Sequence, residues 1–128
     1  VSTLKEAIDI VGSAHCNNSG ILVDTLHFNR SFVGLEELAV VPHEWFHFAH
    51  VCDAPKEIPT TKEAMIYTAR EERLLLGEGG IDVSAILKKM PEIPYSLEIP
   101  NIKRVKEMGY EEYARLCLKT AKDYLQKN

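Results

Sequence analysis

At 128 residues, 45% hydrophobic and 27% charged, the sequence suffices for one domain with a real core and is ordinary for a globular protein. Fifteen basic residues against nineteen acidic ones give a net charge of −4 with no Lys/Arg block, which argues against nucleic-acid and anionic-membrane partners. No apolar run approaches a membrane span, and three unpatterned cysteines (Cys16, Cys52, Cys117) fit reduced thiols in a cytoplasmic setting.

The chain starts at Val1 rather than Met and reads as a processed or excised piece. Thr3 with Glu6 makes a capping box, after which Leu4, Ala7, Ile8, Val11 and Ala14 recur at helical spacing. Asn17, Asn18, Ser19 and Gly20 stop that helix, and the short apolar run 21–26 predicts a buried strand. Residues 34–40 read as a short helix ended by Pro42. The run 46–53 is aromatic and β-branched and predicts a second strand, closed by Ala54 and Pro55. A second capping box, Thr60 with Glu63, opens a helix over 60–73, and a glycine-rich turn follows at 77–80. Asp82 caps a helix through Val83, Ile86, Leu87 and Met90. A third strand lies between Pro94 and Pro100, and the tail from Tyr110 puts Tyr113, Cys117, Ala121 and Tyr124 on one helical face. Apolar strands alternating with helices define an α/β fold with about three parallel strands, one domain over 1–128.

In such sheets ligands bind at the carboxyl ends of the strands. The first strand ends in Asp24, with His27 one short turn on; the second gives His50 and then Asp53; the third gives Glu98. Carboxylates with imidazole make a mixed N/O set suited to one divalent ion, Mn, Co, Zn or Mg. Taken singly, Asp24 is as well explained by loop hydrogen bonds and His27 as a structural histidine. Glu98 is harder to dismiss, because it falls inside an apolar strand, where a lone carboxylate is costly unless paired or metal-bound.

Four segments resemble, in order, motifs of the sugar phosphate isomerase/epimerase family, the xylose isomerase-like TIM barrels. They are the strand from Gly20 through Asp24 to His27, the strand His50 to Asp53, the loop Arg70 to Asp82, and Tyr95 to Pro100 around Glu98. The resemblance implies a (β/α)8 barrel whose one divalent metal is held by Asp24, His50 and Glu98 with a further Glu from an earlier strand. It implies that Glu98 moves a proton beside a carbonyl of a sugar or sugar phosphate. His27 and Arg73, with Arg70 behind it, would contact substrate oxygen. Leu76 stands where the family has a proline before the glycine turn.

A complete barrel takes roughly 250 residues, and this chain resembles only its last three strands, without the earlier metal-binding Glu. The expected partners are therefore a second copy of the chain or the missing N-terminal half of the barrel. Other readings are a polyol dehydratase of the same architecture, an apurinic-site endonuclease and a non-catalytic half-barrel. A fourth is a zinc metalloprotease, because His43-Glu44-Trp45-Phe46-His47 matches H-E-x-x-H. That pattern needs a helix; in a strand, positions i and i+4 lie roughly 13 Å apart at about 3.3 Å per residue.

Overall fold

Three short parallel strands lie side by side in sequence order in a computed structural model that describes residues 1–128: β1 (Val23–Asp24), β2 (Ala49–Val51) and β3 (Tyr95–Leu97). Val23 pairs with Ala49, Asp24 with His50, His50 with Ser96 and Val51 with Leu97. Around them run α1 (Leu4–Ala14), α2 (Thr25–Arg30), α3 (Leu35–Ala39), α4 (Lys62–Glu71), α5 (Val83–Leu87), α6 (Ile102–Met108) and α7 (Tyr110–Lys127). The expected α/β alternation with three parallel strands is what the chain forms.

Alternation along each strand separates two faces of the sheet. Val23, Ala49 and Val51 are buried on the face covered by helices, in a core shared with Leu26, Leu38, Leu75, Val83 and Ile86. On the other face Leu22 is 47% and Phe48 41% exposed, and Ser96 is exposed too. In a closed barrel that second face is the interior. The long helix α7 buries Tyr113, Cys117 and Ala121, and the Tyr113 hydroxyl donates to the Ile99 carbonyl at 2.8 Å. Burial, then the neighbouring Cys117, push that hydroxyl well above the ordinary tyrosine value.

Several boundaries differ from the sequence expectation, each for a local reason. β1 ends at Asp24 because the Asp24 side chain accepts the amides of Leu26 and His27 and starts α2, so Thr25 and Leu26 are helical rather than strand. α4 runs from Lys62 to Glu71 within the expected 60–73, and its cap moves by one residue: the Thr61 hydroxyl, not a Thr60 capping box, takes the Ala64 amide. α5 stops at Leu87, short of Met90. α6 lies outside the expected elements although Ile102, Val105 and Met108 recur at helical spacing; none of its residues is fully buried, Val105 packs partly buried against the core, and Asn101 accepts the Arg104 amide. Gly109, at φ 83°, separates α6 from α7 in a conformation open to glycine. The three cysteines are unpaired, and no helix is long and apolar enough to cross a membrane.

Candidate metal centre

The exits of the three strands converge. Asp24 ends β1, His50 sits within β2 and Glu98 follows β3, its amide bonded to the Val51 carbonyl at 3.2 Å. His50 Nδ1 lies 2.6 Å from Glu98 Oε2 and 3.9 Å from Asp24 Oδ2. One nitrogen and two carboxylate oxygens thus stand within 4.8 Å of one another.

Asp24 is held from behind. Asp24 Oδ1 accepts the amides of Leu26 (2.9 Å) and His27 (3.2 Å), and its Oδ2 accepts Arg73 Nη1 at 2.8 Å. Burial pushes the Asp24 carboxyl up, but the Arg73 hydrogen bond and charge outweigh it and hold the group below the usual carboxylate range. Arg73, only 4% exposed, ties the three strand exits together. Besides Asp24, its Nη1 donates to Cys52 Sγ (3.5 Å) and the Glu98 carbonyl (3.3 Å), while Nε donates to the Ala69 carbonyl (2.8 Å). Its own amide donates to Pro100, and its carbonyl accepts Asn101 Nδ2, both at 3.0 Å. Burial works against the guanidinium charge, and the bond to Asp24 more than restores it.

The donor set fits a divalent cation. A separation of 2.6 Å between His50 Nδ1 and Glu98 Oε2 requires one proton between them. Without that proton, lone pairs of nitrogen and oxygen face each other with Asp24 as a third, a demand that a cation meets. Asp24, His50, His27, Arg73 and Glu98 line one cavity of about 440 Å³, walled on one side by Leu4, Ile21, Leu22 and Phe28.

Two sequence-based expectations are corrected, and one, that the H-E-x-x-H match is accidental, holds. Glu98 is not sealed in a strand: it lies just past β3 with its side chain 44% exposed, so the cost of burial does not argue for a ligand there, whereas its contact with His50 does. Asp53 does not join the cluster. It is 1% exposed on the opposite side of the chain from His50, with its carboxylate turned onto the glycine turn. Finally, His43–Trp45 form a single 3-10 turn and Phe46 is already extended, so His43 and His47 do not share an α-helical face. His47 Nε2 lies instead 3.3 Å from the Ser19 carbonyl, and neither histidine belongs to a group of metal-competent side chains. A signal for Asp53 was present: an offset of three along extended chain puts it opposite His50.

A parallel sheet with helices on one face and donors at its carboxyl ends defines part of a TIM barrel. The solved structures agree. The chain superimposes with a TM-score of 0.81 on the IolI protein crystallised with a bound zinc atom, at 23% identity, covering 99% of this chain and 45% of that one. It also matches a xylose isomerase-like TIM barrel/4-hydroxyphenylpyruvate dioxygenase fusion protein, with a TM-score of 0.69, 24% identity and 79% of this chain against 16% of that one. Among curated proteins it is 26% identical over 123 residues to inosose isomerase of Bacillus velezensis and 25% identical over 122 residues to that of Bacillus subtilis. The resemblance to the xylose isomerase-like sugar isomerase/epimerase family therefore holds along nearly the whole chain, which spans 41% of each of these two relatives. No model of a protein family matches the chain.

Proposed function

We propose that residues 1–128 are one domain forming the C-terminal part of a metal-dependent isomerase or epimerase of a sugar or sugar phosphate. The observation that carries this reading is the meeting of Asp24 Oδ2, His50 Nδ1 and Glu98 Oε2 at three strand exits. Asp24, His50 and Glu98 hold the ion, which is one of Mn, Co, Zn or Mg; the related IolI protein carries zinc. When bound, the ion supplies charge that polarises a carbonyl and its neighbouring hydroxyl. Glu98, the most exposed of the three side chains, accepts the proton from the carbon beside the carbonyl and returns it. Arg73 keeps the Asp24 carboxylate ionised and fixed, and with His27 faces the cavity where substrate oxygens would be bound. The apolar wall of Leu4, Ile21, Leu22 and Phe28 suits the C–H face of a polyol ring and helps exclude water.

The remaining strands of the site come from the N-terminal half of a barrel or from a second copy, because the open face of the sheet exposes Leu22 and Phe48 and both outer strands have a free edge. Unpaired thiols fit a cytoplasmic setting. Native mass spectrometry with added Mn²⁺ or Zn²⁺, on wild type and Glu98→Gln, tests the reading. One ion per site in wild type and at least tenfold weaker binding in the variant is the expected result. Equal binding by both proteins would remove Glu98 from the site and the reading with it.

A further inference from the structure

The helix α4 buries only one side chain, Thr68, whose hydroxyl bonds back to the Ala64 carbonyl at 3.0 Å. At about 100° per residue, the side of the helix opposite Thr68 carries Glu63, Ile66, Tyr67 and Arg70. They are spaced i, i+3, i+4 and i+7, and all four are exposed. Ile66 is 43% and Tyr67 51% exposed, a high figure for neighbouring large apolar groups. Nothing inside the chain accounts for this stripe. Glu63 and Arg70 enter no ion pair, and neither has an opposite charge three or four residues away along the helix. The strands that would complete a barrel join at the free edges of β1 and β3, whereas α4 follows the middle strand, β2. Its stripe calls for a different occupant.

The stripe is complementary to itself. A two-fold axis between Ile66 and Tyr67, with the two helices antiparallel, sets Glu63 against Arg70 of a second copy, twice by symmetry. The same axis sets Ile66 against Tyr67 of that copy, so two opposite-charge pairs close an apolar centre. A parallel arrangement would instead face Glu63 with Glu63 and Arg70 with Arg70. An isologous contact requires this kind of self-match. The stripe also lies beside the metal centre, because the Ala69 carbonyl of α4 accepts Arg73 Nε at 2.8 Å.

We infer that the exposed face of α4 is a contact between two copies of this chain, paired antiparallel through Glu63, Ile66, Tyr67 and Arg70. A ten-residue helix buries far less than the roughly 1,200 Å² of a stable interface, so the contact is weak by itself, with a dissociation constant on the order of 100 μM. Sedimentation equilibrium tests it in a chain carrying Leu22→Ser and Phe48→Ser, where the open sheet face is polar and α4 is the remaining route. That chain forms a weak dimer. Adding Glu63→Arg or Arg70→Glu brings like charges together and weakens the dimer roughly tenfold. Making both exchanges in one chain restores it, and the two single-exchange chains associate better mixed than apart. All these positions are exposed, so an unchanged melting temperature certifies each variant as folded. A chain that stays monomeric once the sheet face is polar overturns the inference and gives the stripe to another partner. A dimer indifferent to both single exchanges, or a double exchange as weak as the singles, overturns it too. No metal enters these readings, so the isomerase reading stands or falls separately.

Discussion

The two faces of the three-stranded sheet have different fates. On the helix-covered face Ala49 and Val51 have no exposed surface and belong to one core with side chains from α1, α2, α3, α5 and α7. On the other face Leu22 and Phe48 stay open to solvent, and the polar cluster of Asp24, His50 and Glu98 sits at its rim. One face is a finished core that holds the strands in register; the other is open and carries the candidate metal centre at its rim. The lesson is that order in the site is imposed from behind. Arg73 reaches all three strand exits from a buried position, and Asp53 and Asn101 fix the segment that carries it.

That contrast can be broken most severely at Arg73. Arg73→Leu leaves Asp24 half-buried without its cation, and a loss of about 3–5 kcal/mol in urea unfolding is expected from breaking such a pair. A loss under about 1 kcal/mol, the level of an exposed pair, would show that the strand exits do not depend on it. On the packed face, Val51→Ala removes two fully buried methyl groups and is expected to cost about 2 kcal/mol, read the same way. Tyr113→Phe, behind β3, gives up one buried hydrogen bond and costs about 1 kcal/mol. It also changes the alkaline limb. The folded-state value of Tyr113 is raised, so its contribution is complete below the unfolded value of about 10 and is lost as pH rises above it. Wild type should therefore lose stability faster than the variant beyond that pH in denaturation curves. The open face should be least sensitive: Leu22→Ser with Phe48→Ser is expected to change the stability of the chain by about 0.5 kcal/mol or less. The same pair should weaken any association that sedimentation velocity detects in wild type.

The sequence revealed the parallel architecture because each strand is an apolar run between turn residues, and it pointed to Asp24, His50 and Glu98 because each is a metal-competent side chain in the C-terminal part of such a run. The strand lengths were less legible. Asp24 is at once the last residue of β1 and the N-cap of α2, and a pattern of apolar residues cannot show that Thr25 and Leu26 have crossed into a helix. α6 left only a faint trace, an Asn101 cap and the short stripe of Ile102, Val105 and Met108, too brief to mark a helix and not fully buried in the fold. The apolar neighbours of Glu98 predict burial, yet Ile99 turns into the core on the other side of the chain and Glu98 stays half open. The role of Arg73 as a tie among three strands depends on contacts across 49 residues to Asp24 and 25 to Glu98, which no local pattern encodes.

The central claim is that the three strand exits form one metal centre, and anomalous diffraction at the zinc edge from crystals grown with Zn²⁺ tests it most directly. A single strong peak bonded to Asp24, His50 and Glu98 is the expected result. A peak on His43 and His47, or none near Glu98, would contradict the account.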